Sequence, residues 1–138
     1  MAKTRIGTNS QFTGGQLSFS TIGSHIYGFS GSFESSTTVA TVINANTGKG
    51  YIVGEFQLNA CVATGSPNVG AITGADIKFN GVLVARIKAD GQAETTPASE
   101  TQKVVIPPYT NIQVDVDSDQ NQAARLGSIT FVGRVYDA

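Results

Sequence analysis

The sequence predicts an all-β fold, an eight-stranded β-sandwich of jelly-roll type with an extended N-terminal arm, and three observations carry that prediction. Residues 75–88, ADIKFNGVLVARIK, set Asn80-Gly81 between two alternating stretches. A type I′ turn needs positive φ at both central residues, which Asn and Gly tolerate, so this is a strong hairpin signal. Short stretches of this kind recur along the chain with turn residues between them, and no segment has a convincing amphipathic helical period. The composition agrees. The 138 residues include 15 Thr, 12 Ser and 16 Gly, while charged residues make up only 14% against the usual quarter. Thr suits pleated surfaces and Gly supplies turn geometry.

The length allows one domain with a real core and is too short for two. It divides into an arm, residues 1–24, and a β-sandwich domain, residues 25–138. The arm contains GTNSQFTGGQLSFSTIGS, with Phe12, Leu17, Phe19 and Ile22 spaced through polar and small residues. Such a segment cannot build a core alone, and its apolar side chains need pockets on a partner or on its own domain. The predicted strands are 25–33, 37–44, 51–59, 76–80, 82–88, 103–107, 112–117 and 129–136.

Each strand has its own grounds. Residues 46–50, NTGKG, link the second and third strands as a hairpin loop. The third places Ile52, Phe56 and Leu58 on one side against Glu55 and Gln57 on the other, and the seventh sets Ile112, Val114 and Val116 against Gln113, Asp115 and Asp117. Residues 63–74 and 90–100 read as long polar crossings, which implies Greek-key wiring. Pro107-Pro108 cannot donate to a central ladder, so that strand ends at a rim. Residues 122–126, QAARL, form at most one helical turn.

The hairpin poses a problem of parity. Strict alternation pairs Phe79 with Val82 and Ile77 with Val84 on the core face, which leaves Leu83, Ala85 and Ile87 on an outer face too apolar for ordinary solvent contact. Either another part of the domain or a second subunit covers them. The same alternation sends Arg86 and Lys88 inward, where unpaired cations are expensive, so the strand must bulge, leave the sheet or pair those charges.

Several function classes recede. Net charge is −1 and the nine Lys and Arg residues are scattered, so no basic stripe serves nucleic acid. Cys61 is alone and reads as a small buried hydrophobe. His25, the only histidine, reads as a hydrogen-bonded structural residue, and no nucleophile, base and orienting group are announced together, so no enzyme activity and no catalytic residue is expected. Gly48-Lys49-Gly50 lacks the rest of a phosphate loop. Asp115, Asp117, Asp119 and Asn121 have the alternating oxygen spacing of a calcium loop, but Gln120 stands where the turn needs Gly and Leu126 where the closing acid belongs. A solvated acidic strand end is the expected reading, with no metal, cofactor or small-molecule substrate. No stretch approaches eighteen apolar residues and the first ten lack the apolar core of a signal peptide, so no membrane partner is expected.

Two binding classes then remain. One is an assembly component whose apolar surface packs on sister copies. The other is a carbohydrate-binding sandwich using Tyr27, Tyr51, Tyr109 or Tyr136, in a chain without Trp. The nearly cysteine-free β chain, its Gly/Ser/Thr-rich arm and the C-terminal run VVIPPYTNIQVDVDSD followed by GSITFVGRVYDA resemble the head decoration, or cement, proteins of tailed bacteriophages. The likeness is architectural, covers most of the chain and carries over no individual functional residue. It implies a virion protein, made in the host cytoplasm, that stabilises a capsid without chemistry. Its partners would be the major capsid protein and copies of itself, with a trimer favoured. On that reading Phe12, Leu17 and Phe19 dock into shell or neighbouring subunits, while Leu83, Ala85 and Ile87 line the subunit contact.

Overall fold

The structure, a computed structural model, describes residues 19–62, 71–91 and 99–136, and their ordered elements are all strands. In chain order these are β1 (Ser20–Ile22), β2 (His25–Phe29), β3 (Phe33–Ser35), β4 (Ala40–Asn46), β5 (Tyr51–Val62), β6 (Ile72–Phe79), β7 (Val82–Asp90), β8 (Ser99–Ile106), β9 (Asn111–Ser118) and β10 (Gln122–Tyr136). They form two antiparallel sheets. The first runs β1-β2-β10-β5-β8, with β3 also on β10, and the second runs β4-β9-β6-β7.

Eight of these strands pair in a nested way: β6 with β7, β5 with β8, β4 with β9 and β2 with β10. That is one long antiparallel ribbon folded at the Asn80-Gly81 turn and rolled up, the winding of a jelly roll. All eight predicted strands are present. The differences lie at their ends. Gly31, at φ +76°, turns the chain so that the predicted strand 25–33 divides into β2 and β3. Residues 19–22 belong to the sheet through β1, so the folded body extends N-terminal to residue 25. Residues 46–50 are not a hairpin loop, because β4 and β5 lie in different sheets. Thr47 holds that crossing, donating its N–H to the Thr110 carbonyl (2.9 Å) and accepting the Thr110 N–H on its hydroxyl (2.8 Å). Residues 122–126 form no helical turn. They extend β10, which pairs with β3 on one edge and reaches β5 on the other at Leu126, its register shifting on both sides of that residue.

The core lies between the sheets. Ile26, Ile52, Phe56, Leu58, Ile106, Ile129 and Phe131 enter from the first, and Ile43, Ile77, Ile87, Ile112 and Val114 from the second. Phe131 is central, tilted against Phe56 at 4.6 Å and stacked on Phe19 at 5.0 Å. Glycine makes room for these rings: a Cβ on Gly54 would lie 2.4 Å from Phe131, and one on Gly28 would lie 2.4 Å from Phe19. Cys61 is a buried hydrophobe, as expected.

The hairpin turn has φ +52° at Asn80 and +83° at Gly81, the type I′ signature, and Phe79 faces Val82 as predicted. Beyond that pair the expected parity is wrong. The register shifts between Ile77 and Lys78, so Ile77 faces Ala85 and Lys78 faces Leu83, leaving Val84 as the extra residue of a bulge. The bulge reverses the face of the remaining strand. Ile87 and Ala89 enter the core, Ala85 is half-buried, and Val82, Leu83 and Val84 are exposed. Its physical gain is charge placement: Arg86 reaches the solvent face, where its Nε lies 2.7 Å from Asp76 Oδ1 on the facing strand.

Candidate assembly face

The two outer faces of the sandwich differ in kind. Outside the β4-β9-β6-β7 sheet, polar side chains bond to one another along the register. Asp115 is nearly buried and accepts from Thr41 Oγ1 (2.7 Å) and Gln113 Nε2 (2.9 Å), with Lys78 Nζ 3.0 Å from its other oxygen. Asn111 Nδ2 donates to Asn44 (2.9 Å) and Asn46 (3.0 Å). Burial pushes the Asp115 carboxyl up, but the hydrogen bonds from Gln113, Thr41 and Lys78, with the Lys78 charge, outweigh it and hold the group below the ordinary carboxylate range.

Outside the other sheet, exposed aromatic and branched side chains stand among polar ones such as His25, Gln57 and Thr130. Ile26, Gly28, Ile129 and Phe131 point inward, so alternation sends Tyr27, Phe29 and Val132 outward, with Val53 on β5, Val105 on β8 and Ile22 on β1. Tyr27 and Phe29 are each 45% exposed, and Val132 and Val105 each 60%. Tyr51 and Tyr136, partners in register, stack at 5.3 Å on the same face. A shallow depression of about 440 Å³ lies between Glu55, Lys103, Arg134 and Tyr136. Glu55 sits opposite Lys103 on β8 and diagonal to Arg134 on β10, yet none of the three is in an ion pair within the described residues. Arg134 instead donates to Ser24 Oγ (3.2 Å).

Of the residues expected to form an interface, the four that are described do not share one surface. Phe12 and Leu17 lie outside the described residues. Phe19 is 1% exposed and stacked in the core, so its side chain already has a pocket within its own chain. Ile87 is likewise core, which corrects its expected outward facing. Leu83 is exposed, beside Val82 and Val84 at the hairpin end, and Ala85 lies between. Tyr109, the most exposed large apolar side chain of the described residues at 75%, holds φ +54° in the loop after β8. His25 is exposed opposite Arg134, with no side-chain hydrogen bond among the described residues.

Three of the four residues with calcium-loop spacing are engaged with separate partners. Asp115 is tied to Lys78, Asp119 Oδ1 accepts the Ile72 N–H (3.0 Å), Asn121 Oδ1 accepts the Thr37 N–H (2.8 Å), and Asp117 is exposed. Among the described residues no group of three or more His, Cys, Asp or Glu side chains is placed to hold a metal. The apolar face itself was readable in part. HIYGF, with Ile26 inward, exposes Tyr27 and Phe29, but the strand boundary at residue 33 hid how that alternation aligns with β10.

No protein-family model matches the chain, and no curated protein matches it. Among solved structures it is similar to the insecticidal delta-endotoxin Cry8Ea1 from Bacillus thuringiensis, with a TM-score of 0.42 and 11% identity over 77% of this chain and 19% of that one. It is also similar to the T13 viral particle of IBDV, with a TM-score of 0.36 and 19% identity over 73% of this chain and 28% of that one. The chain spans less than a third of the length of either, and likeness of this degree assigns no function.

Proposed function

We propose that this chain is a non-enzymatic structural protein of a virion that binds and stabilises a capsid shell as a symmetric oligomer. The observation that carries this reading is the contrast between the outer faces. One is closed by its own hydrogen bonds, while the other displays tyrosine, phenylalanine and branched aliphatic side chains that a solitary soluble domain ordinarily hides. Symmetric assemblies bury such a patch once per copy, and several weak attachments to one shell add up to strong retention. The phage decoration proteins that the sequence resembles give the reading its particular form.

The test is retention on particles. Gradient-purified virions from the source of the chain should contain it by mass spectrometry, and shells stripped of it should disrupt at lower temperature, with recovery on adding it back. A chain absent from particles would overturn the reading. The Tyr51–Tyr136 stack beside the depression favours a second reading, a carbohydrate site in which a sugar ring lies on tyrosine next to Glu55 and Arg134. Binding to a defined glycan, lost in Tyr136→Ala, would favour it over the shell role.

A further inference from the structure

We infer that the outer face of the β1-β2-β10-β5-β8 sheet is a twofold self-association surface, closed by the same face of a second copy. The inference rests on the assembly reading and names the partner that covers the face. Its charges are the first ground. Glu55 carries one carboxylate in the middle of the face, with Lys103 and Arg134 beside it, and none of them has an ion-pair partner within the described residues. A twofold axis lying in the interface and crossing the line from Glu55 to Arg134 at its midpoint sets each carboxylate over the second copy's guanidinium. The pattern is thus complementary to itself, as an isologous contact requires.

Size is the second ground. Four strands at about 4.8 Å and five to seven residues at about 3.4 Å, with the short β1 beside them, give roughly 450 Å² in projection. Side-chain relief brings that toward the ~800 Å² per partner of a standard interface. Tyr27 and Val132 are partners in register, as are Val53 and Val105, and the two pairs lie diagonal to each other across β10 and β5, so the apolar side chains are not isolated ones. The surface's own symmetry pairs copies, which differs from the threefold grouping that the phage resemblance implies.

Light scattering and sedimentation equilibrium of the full chain test the inference. The expected species holds an even number of copies. Val132→Asp and, independently, Tyr27→Lys, both at exposed positions and checked for intact fold by circular dichroism, should split it into halves. Glu55→Arg should weaken association about tenfold, and adding Arg134→Glu should restore it. A three-copy species, a pair that survives both apolar variants, or a charge swap that restores nothing would overturn the twofold contact and leave the assembly reading standing. A chain that stays monomeric yet binds particles does the same, whereas one that stays monomeric and is absent from particles removes both.

Discussion

Asp115 shows how one residue on the polar face ties charge to stability. Its folded-state pKa lies below the ordinary value, so its contribution is present above the unfolded carboxylate's pKa and is lost as pH falls through the folded one. Urea unfolding of the parent chain between about pH 5 and pH 3 should therefore show a decline that Asp115→Asn blunts. Equal slopes would mean that the Gln113, Thr41 and Lys78 contacts do not lower the folded-state pKa of Asp115. Gly54 makes the opposite case, where the side chain that matters is missing. A methyl there meets Phe131 at 2.4 Å and the Val132 carbonyl at 2.5 Å, so Gly54→Ala should cost about 1–3 kcal/mol by chemical denaturation. The alternation of Ile52, Phe56 and Leu58 could be read directly from sequence, and all three are buried. Phe19 could not. Its neighbours are those of a polar arm, and only the ring of Phe131 and the bare Cα of Gly28 explain why it turns inward.

Among the elements, the β6–β7 hairpin separates what local chemistry dictates from what it leaves open. Asn80-Gly81 fixes the turn, and Gly81→Ala, forced to hold φ +83°, should destabilise by about 1 kcal/mol or more. The bulge two residues later follows from a conflict visible in the sequence, apolar residues and cations sharing one parity, but its position depends on Asp76 standing across from Arg86. Asp76→Ala should free Arg86 while leaving the hairpin folded by circular dichroism, since an ion pair this open to solvent adds little to stability. Residues 122–126 went the other way. Their composition suits a helix, yet β3 and β5 offer backbone partners on both sides, and pairing outweighs intrinsic propensity.

For the whole molecule, the all-β sandwich and eight of its strands could be read from the sequence, while β1, the division of residues 25–33 and the assignment of each strand to a sheet could not. The loop of residues 46–50 is as short as a hairpin loop and still spans the sandwich, because Thr47 and Thr110 lock it across the rim. The assembly face belongs to this scale as well. It is composed of five strands from distant parts of the chain, each contributing one or two exposed apolar residues that look unremarked singly. If the face is covered in solution, the melting temperature should rise with protein concentration, by mass action on the associated form. A melting temperature that is flat over a hundredfold dilution would count against any such cover.

The rolled ribbon also has a kinetic corollary. The seam between β2 and β10 joins His25 to Arg134, nearly the full span of the described chain, so its loop is the longest to close and can zip only after the inner pairs have placed both strands. Refolding is therefore expected on the slow, millisecond-to-second side for a domain of this size. Until that last seam shuts, β10 offers a bare edge flanked by greasy residues, and the nascent molecule is at its most vulnerable to clumping just before it is finished.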